Sequence, residues 1–301
     1  MSAPGAGFHA RTRSWESQAG GAAVLRGRRE DGPSPTGPTI HFLSGNGFCG
    51  GVYWPFLRGL TADYGLFTHD IEGHGDSDAP VKFSGINAVC QRVLAVADEQ
   101  KLSQPLIGMG HSFGAALTLK LAAENPGLFS ALVLLDPIIM PPAYWHVWSR
   151  LRWLRVNPAA QGARKRRDRW ASRDAVLQRL RGRGIYQGWT DEALNGFVDH
   201  ATRDDANGER VLNCPKEVEA QIFERPVYPW DYLRQIRIPV LYLYGAQSYD
   251  FIPKSAELIR PLIPGIVVQT LPGGHCFMQQ DPAAASDAVR GFLDAIRQSK
   301  S

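Results

Sequence analysis

The sequence has few of the features that mark membrane or secreted proteins. Its longest apolar runs, Ala131 to Leu135 and Ile138 to Met140, are interrupted by Asp136 and Pro137. Both are far shorter than the roughly 20 residues that cross a bilayer. Residues 1–13 lack the apolar core of a secretory signal peptide and are rich in Gly, Ala and Pro. We therefore expect a cytoplasmic protein without a transmembrane segment, and we interpret residues 1–13 as a flexible tail.

Cysteine is also scarce, and its spacing is uninformative. The four cysteines, Cys49, Cys90, Cys214 and Cys276, occur without any C-x-x-C pair. This scatter argues against a zinc site and against a disulfide framework, and it favours free thiols in a reducing compartment. No other motif indicates a metal ion or an organic cofactor, so we expect neither.

Charge of one sign is not in large excess, since the formal net charge is +4 over 301 residues. The exception is local. The residues from Arg150 to Arg183 include twelve Arg or Lys and only two Asp, with a dense run at Arg164 to Arg173. No nucleic-acid-binding motif accompanies this run, so we expect no nucleic-acid partner.

Apolar strand-like segments alternate with helix-like segments over most of the chain. Several of these strand candidates are continuously apolar, which is typical of a parallel sheet covered on both faces. The predicted strands are Ala22–Gly27, Thr39–Leu43, Gly65–Asp70, Gln104–Met109, Ala131–Asp136, Val240–Gly245 and Ile266–Leu271. The predicted helices between them include Ile86–Lys101, Ala115–Glu124, Ser255–Leu262 and Asp281–Gln298. The pattern predicts an α/β fold with a mostly parallel central sheet.

The alternation stops between Pro137 and Trp230. This stretch has helical segments and no convincing strand, and it holds six of the eight tryptophans. We interpret residues 138–230 as a helical cap, inserted into a core formed by residues 14–137 and 231–301. Open α/β sheets place their binding sites at the carboxyl edge of the strands, and we expect the cap to cover that edge.

The pentad Gly110-His111-Ser112-Phe113-Gly114 lies between a predicted strand and a predicted helix. A G-x-S-x-G sequence in that position is typical of a sharp turn that exposes the central hydroxyl at the sheet edge. A serine hydroxyl is a poor nucleophile unless a base accepts its proton and donors stabilise the oxyanion that forms. Ser112 is therefore the candidate nucleophile.

His275 is the candidate base. It follows the last predicted strand through Pro272-Gly273-Gly274 and precedes the last helix, which places an imidazole at the carboxyl edge of the sheet. The other histidines are expected to be structural. His111, in particular, is expected to point away from the partner of Ser112 because of its place in the turn.

Two backbone N–H groups are expected to bind the oxyanion. One belongs to Phe113, which follows Ser112, and the other to the glycine-rich loop Ser44–Phe48, where we choose Asn46. The orienting acid is left with two candidates. Asp250, the one carboxylate in the loop after Val240–Gly245, is the first choice, and Asp136, at the tip of the preceding strand, is its rival.

The chain resembles the α/β-hydrolase superfamily, in the capped single-domain branch that holds esterases, lipases and carbon–carbon bond hydrolases. The matching segments are 42–47, 70–78, 110–114, 245–253 and 274–275. The resemblance implies Ser112 as nucleophile, His275 as base, and Asn46 and Phe113 as oxyanion donors. In two places the sequence departs from the family pattern. Ser44-Gly45 replaces the usual His-Gly, and Ser248 occupies the position where the family usually has its acid.

These features together predict a serine hydrolase that cleaves an ester or related acyl bond of a largely apolar small molecule. Carbon–carbon bond or lactone hydrolysis, or ligand binding without catalysis, are the alternatives on the same fold. For the basic run we favour a solvated helix face, with steering of an anionic substrate and contact with an anionic membrane or nucleic acid as the competing interpretations. The tryptophans are interpreted mainly as cap core.

Overall fold

The structure, a computed structural model, describes residues 6–19, 21, 23–34, 37–151 and 157–299. The strands of its main sheet are β1 Arg13–Ser17, β2 Leu25–Glu30, β3 Thr39–Leu43, β4 Gly65–Asp70, β5 Leu106–His111, β6 Phe129–Leu135, β10 Val240–Gly245 and β11 Val267–Leu271. They lie in the order β1-β2-β4-β3-β5-β6-β10-β11. The β1–β2 and β2–β4 pairs are antiparallel, and the other neighbouring pairs are parallel.

Helices cover both faces of this sheet because its strands carry apolar side chains on both sides. The helices of the chain are α1 Ala6–Arg11, α2 Trp54–Leu57, α3 Ile86–Glu99, α4 Phe113–Glu124, α5 Pro142–Leu151, α6 Pro158–Lys165, α7 Arg173–Leu180, α8 Asp191–His200, α9 Lys216–Phe223, α10 Phe251–Ile259, α11 Phe277–Gln280 and α12 Pro282–Gln298. Helices α2, α11 and α12 pack on one face, and α3, α4 and α10 pack on the other. This is the α/β-hydrolase architecture that the sequence predicts.

The elements agree closely with the predicted ones where the apolar pattern is strongest. The strands Thr39–Leu43, Gly65–Asp70 and Val240–Gly245 have the predicted bounds. The second strand begins later than predicted, at Leu25, and Ala22 lies outside the described residues. The last helix follows Asp281, whose side chain accepts a 3.0 Å hydrogen bond from the N–H of Ala284, as expected for a helix cap.

The segment between β6 and β10 contains α5 to α9 and, contrary to the all-helical expectation, three short strands. These are β7 Arg169–Trp170, β8 Thr202–Asp204 and β9 Arg210–Leu212, which form a small antiparallel sheet in the order β7-β9-β8. Strands of two or three residues are too short to show the alternation by which strands are recognised in a sequence. The division of the chain at residues 138 and 230 stays a prediction.

The expectation of a flexible tail over residues 1–13 is wrong for its described part. Residues Ala6–Arg11 form α1, and the side chain of Phe8 is only 3% exposed. Its ring lies 5.4 Å from that of Trp54 and 5.2 Å from that of His200. This helix is therefore held by apolar and aromatic contacts with the core and with α8.

Within the described ranges, no helix combines the length and the apolar character that crossing a bilayer requires.

Candidate active site

The sharp turn at Ser112 joins β5 to α4. The backbone of Ser112 has φ 55° and ψ −115°, a conformation that non-glycine residues rarely adopt and that costs on the order of 1–3 kcal/mol. The turn also brings backbones together. A Cβ on Gly110 would lie 2.5 Å from the carbonyl of Gly114, and a Cβ on Gly114 would lie 2.2 Å from the carbonyl oxygen of Leu43. Glycine is therefore required at both flanking positions.

His275 lies within hydrogen-bonding distance of this serine. It follows β11 through a loop that turns at Gly273, where φ is +115°. Its Nε2 is 2.9 Å from Oγ of Ser112. Its Nδ1 is 2.8 Å from Oδ1 of Asp136, so the two ring nitrogens contact two different side chains. An imidazole held in this way can accept the proton of the serine hydroxyl at Nε2 while Nδ1–H is fixed by the carboxylate.

Asp136 is the acid that the structure brings to His275. It directly follows β6, has a φ of 44° and is completely buried. Besides His275, its carboxylate accepts hydrogen bonds from the Ser248 hydroxyl at 2.6 Å and from the Gly245 N–H at 2.8 Å. These hydrogen bonds fix the orientation of the buried carboxylate towards the imidazole.

The preference for Asp250 over Asp136 is therefore corrected. The backbone N–H of Gln247 donates to the Gly273 carbonyl, so the loop after β10 folds against the loop that carries His275. It presents Ser248 to this site, and the chain then enters α10 with Asp250 as its exposed N-terminal residue. The hydroxyl at 248, together with Asp136 just after a buried strand, was the signal that could have decided between the two acids.

The loop Ser44–Phe48 supplies one unpaired backbone donor beside Ser112. The N–H groups of Gly45, Gly47 and Phe48 donate to the Tyr53 hydroxyl, to Nε2 of His74 and to the Gly45 carbonyl. In the described part of the chain, the backbone N–H of Asn46 has no such partner. Burial lowers the pKa of His74 to about 4, so its ring stays neutral and its Nε2 can accept the hydrogen bond from the N–H of Gly47.

The side chain of Asn46 is held away from this role, because its Nδ2 donates to the backbone carbonyl of Glu219 in α9 at 3.0 Å. The N–H of Phe113, at the first position of α4, is likewise free of partners in the described residues. Asn46 and Phe113 border the same cavity as Ser112. Two free N–H groups beside a serine hydroxyl form a geometry that can bind an oxyanion.

The sequence profile of the alpha/beta hydrolase family matches residues 42–288, which include both the turn at Ser112 and His275. The chain belongs to this family. Family membership supports hydrolase activity and leaves the bond that is cleaved to be determined.

The proteins that are similar to this alpha/beta hydrolase in sequence or in structure have different described activities. The abhydrolase domain-containing protein AKT2 of Alternaria alternata is 30% identical over 231 residues, which are 64% of this chain and 84% of AKT2. The type I acyl-CoA thioesterase mpaH of Penicillium roqueforti is 30% identical over 109 residues, 35% of this chain and 23% of that protein. The crystal structure of E-2-(acetamidomethylene)succinate hydrolase has a TM-score of 0.72 at 22% identity, covering 94% of this chain and 99% of its own. At that identity the structural likeness shows the fold alone.

In this alpha/beta hydrolase His111 does not point away from His275, contrary to the sequence-based expectation. Its Nε2 is 2.8 Å from the backbone carbonyl of His275, to which it must donate. Its Nδ1 is then the acceptor for the hydroxyl of Tyr53, 2.7 Å away, and that hydroxyl in turn accepts the N–H of Gly45. Burial, with His275 as a smaller contribution, holds the pKa of His111 well below its usual value. A neutral His111 therefore links the loop before Asn46 to the backbone of His275.

A cavity of about 630 Å³ opens at Ser112 and His275. Most of its lining is apolar and comes from both the core and the segment between β6 and β10. Representative lining residues are Ile86, Phe113, Met140, Trp145, Ile222 and Phe251. Cavities of this size and character accommodate small, largely apolar molecules.

Trp145 is the cap tryptophan that lines this cavity. Trp170 and Trp189 are buried in the hydrophobic core, and Trp230 donates its indole N–H to the Met140 carbonyl at 2.8 Å. Trp153 and the side chain of Trp148 lie outside the described part of the structure. Among the described tryptophans of residues 138–230, Trp170 and Trp189 are thus core residues and Trp145 borders the cavity.

Four arginines of the basic run form ion pairs within the segment between β6 and β10. Arg164 pairs with Glu217 and Glu224, Arg166 with Glu219, Arg169 with Asp205 and Glu209, and Arg173 with Asp199. These carboxylates come from α8, α9 and the turn between β8 and β9, far along the chain from the arginines. The favoured interpretation, a solvated helix face, does not describe these four arginines fully, because they pair with carboxylates of other elements between β6 and β10.

In the described ranges, the His, Cys, Asp and Glu side chains form no group of three or more that could hold a metal ion. The four cysteines are buried and unpaired.

Proposed function

We propose that this protein is a serine hydrolase that cleaves an ester or related acyl bond of a largely apolar small molecule. One observation carries the proposal, namely the unbroken series of contacts from the Ser112 hydroxyl through both nitrogens of His275 to Asp136, at the mouth of an apolar cavity. Asp136 takes the role of orienting acid, in place of Asp250.

In the proposed reaction, Nε2 of His275 accepts the proton of Ser112 as Oγ attacks the substrate carbonyl. The carbonyl oxygen becomes an oxyanion, to which the N–H groups of Asn46 and Phe113 donate. The imidazolium, held by Asp136, then gives its proton to the leaving group, and an acyl-enzyme remains on Ser112. Water attacks the acyl-enzyme with His275 again acting as base, and the acid product is released.

A fluorophosphonate probe tests the nucleophile directly, since such probes label activated serines. We expect the wild-type protein to be labelled, the Ser112→Ala variant to give no label, and mass spectrometry to locate the adduct on residue 112. An unlabelled wild type would overturn the proposal in favour of ligand binding without catalysis, and equal labelling of Ser112→Ala would overturn the assignment of Ser112 as the nucleophile.

A substrate panel tests the type of bond. p-Nitrophenyl esters of increasing chain length, acyl thioesters, lactones and vinylogous 1,5-diketones cover the ester, thioester, lactone and carbon–carbon alternatives. We expect the highest kcat/KM among esters or thioesters with medium-length apolar acyl groups, which suit a cavity of about 630 Å³. Turnover of lactones or diketones alone would assign the protein to the corresponding alternative.

A further inference from the structure

The apolar cavity at Ser112 adjoins a second, polar cavity. The second cavity has a volume of about 520 Å³, and its lining includes Lys82, Arg164, Glu224 and Arg225. Glu224 and Arg225 border both cavities. The two spaces therefore meet just beyond the end of α9, at one carboxylate and one guanidinium.

The carboxylate at this border is already paired. Glu224 accepts a hydrogen bond from Nη1 of Arg164 at 2.7 Å, and the other nitrogens of Arg164 bind Glu217 at 2.8 and 2.9 Å. These neighbouring carboxylates raise the pKa of Arg164 above its usual value, which keeps the guanidinium charged. Glu224 is thus directed towards Arg164 in the outer cavity.

Arg225 differs from the four paired arginines of the basic run, because no carboxylate in the described residues pairs with it. Its Nη1 donates to the backbone carbonyl of Phe83 at 3.1 Å, which fixes the guanidinium and leaves its other N–H groups available. Lys82, adjacent to Phe83, is exposed and has no ion pair within the described ranges either. The border between the cavities therefore carries an uncompensated positive charge.

The anchored guanidinium is connected to the turn at Ser112 by two contacts. The ring of Phe83 packs edge-on against the ring of Phe113, with centroids 6.5 Å apart, and Phe113 directly follows Ser112. Phe113 and Arg225 both line the apolar cavity. A substrate that reacts at Ser112 and extends through the apolar cavity to its border with the second cavity would approach Arg225.

We propose that Arg225 binds an anionic group, a carboxylate or a phosphate, at the far end of the substrate, with Lys82 adding attraction. This rests on the proposed function and specifies its substrate class as an amphiphilic ester or thioester with an anionic terminus. An apolar cavity cannot stabilise an anion, whereas a planar guanidinium forms paired, charge-assisted hydrogen bonds with either group. Arg225 is then a specificity-determining residue.

Two matched substrate pairs test the proposal and locate the anion. The first pair is the p-nitrophenyl monoester of octanedioic acid and its neutral methyl ester, in which the charge is on the acyl part. The second pair is S-octanoyl-phosphopantetheine and S-octanoyl-pantetheine, in which it is on the leaving group. We expect the wild type to prefer the anionic member of one pair, and Arg225→Gln to lower that anionic-to-neutral ratio of kcat/KM about tenfold.

Two further variants make the comparison specific. Arg225→Lys keeps the charge and should retain part of the preference. Arg260→Gln removes an exposed arginine that borders neither cavity and has no ion pair in the described part of the chain, and it should leave the ratio unchanged. An anionic-to-neutral ratio that Arg225→Gln leaves unchanged in both pairs would overturn the proposal.

A binding measurement separates this proposal from the proposed reaction. Calorimetry with hydrolysis-resistant analogues repeats both comparisons without turnover. The first pair is the monoanilide of octanedioic acid and the methyl ester of that anilide. The second pair is S-octyl-phosphopantetheine and S-octyl-pantetheine. An anion preference that Arg225→Gln abolishes supports the anion site even if Ser112 is not labelled by the fluorophosphonate. Equal affinities within both pairs would overturn the anion site even if the protein is an active hydrolase.

Discussion

The hydroxyl of Ser248 donates a 2.6 Å hydrogen bond to Oδ1 of Asp136, the same oxygen that contacts Nδ1 of His275. The two residues come from neighbouring parallel strands, since Leu135 of β6 is paired with Leu243 of β10. The ends of these strands therefore converge on one place beside the imidazole. A carboxylate carried by either strand end could occupy this place, and in this chain it is Asp136.

This convergence predicts that the acid can be moved from one strand to the other. We expect Asp136→Ser to lower kcat/KM by on the order of 10³–10⁴, because His275 loses its orienting carboxylate. The double variant Asp136→Ser/Ser248→Asp should regain at least tenfold of this loss. Steady-state kinetics on the best ester measures both, and a double variant no more active than Asp136→Ser would contradict the interpretation of Ser248.

A second prediction concerns the contacts behind His275. Tyr53→Phe leaves the N–H of Gly45 and Nδ1 of His111 without a partner, and both groups are buried. We expect about 1–3 kcal/mol of lost stability and a severalfold lower kcat with little change in KM, because the loop before Asn46 and the backbone of His275 lose a shared support.

Tyr242→Phe is the matched control for this variant. Tyr242 is also fully buried and donates one hydrogen bond, to the Ile252 carbonyl at 3.2 Å. The Tyr242→Phe variant should lose stability but keep the kcat of the wild type. Equal effects of the two substitutions on kcat, measured with the same ester and with unfolding curves alongside, would show that Tyr53 acts only through general stability.

A third prediction concerns stability in acid. The rings of His41 and His69 are buried side by side in the sheet, and in the described residues their nitrogens have no hydrogen-bond partners. Burial lowers the pKa of His41 to about 4 and holds that of His69 well below its usual value, with His41 adding a smaller effect. The unfolded chain binds these protons near pH 6.5 and the folded chain does not, so stability should fall as the pH drops from about 6.5 towards 4.

His41→Leu tests this directly because it removes one of the buried histidine rings whose pKa is lowered. We expect it to reduce the loss of unfolding free energy between pH 7 and pH 5 and to leave stability at pH 7 close to that of the wild type. Denaturant unfolding at the two pH values provides the measurement. A pH dependence identical to that of the wild type would contradict the assignment to His41.

The sequence was sufficient for most of the parallel strands because they are apolar on consecutive residues and are separated by clear helical periods. The antiparallel strands β1 and β2 carry charged residues and lack this pattern. Gly110, Ser112 and Gly114 could be interpreted from local sequence, since a strand-to-helix turn of this kind is a local property. His275 followed from its position after the last strand. The family match supports the fold, and the geometry brings Ser112 and His275 into contact.

The incorrect expectations depend on contacts between distant parts of the chain. Phe8 is one aromatic residue in a stretch rich in small residues, and its burial depends on contacts with distant residues such as Trp54 and His200. The acid was ambiguous because Asp136 and Asp250 both follow strands, and the spacing along the chain does not reveal which one faces the imidazole.

The ion pairs of the basic run also depend on contacts between distant parts of the chain. Its local excess of charge is visible in the sequence, but its carboxylate partners are 26 to 60 residues away, as in Arg173 with Asp199 and Arg164 with Glu224. Arg225, which has no carboxylate partner in the described residues, lies outside the run and was not distinguishable from other surface arginines.

The most direct measurement of the central claim compares Asp136→Asn with Asp250→Asn. Both substitutions replace a carboxylate by an amide of the same shape, but only Asp136 contacts Nδ1 of His275. We expect kcat/KM for the best ester to fall by on the order of 10³–10⁴ in Asp136→Asn and to change less than about twofold in Asp250→Asn. Full activity in Asp136→Asn, or a comparable loss in Asp250→Asn, would contradict the assignment of Ser112, His275 and Asp136 as one catalytic unit.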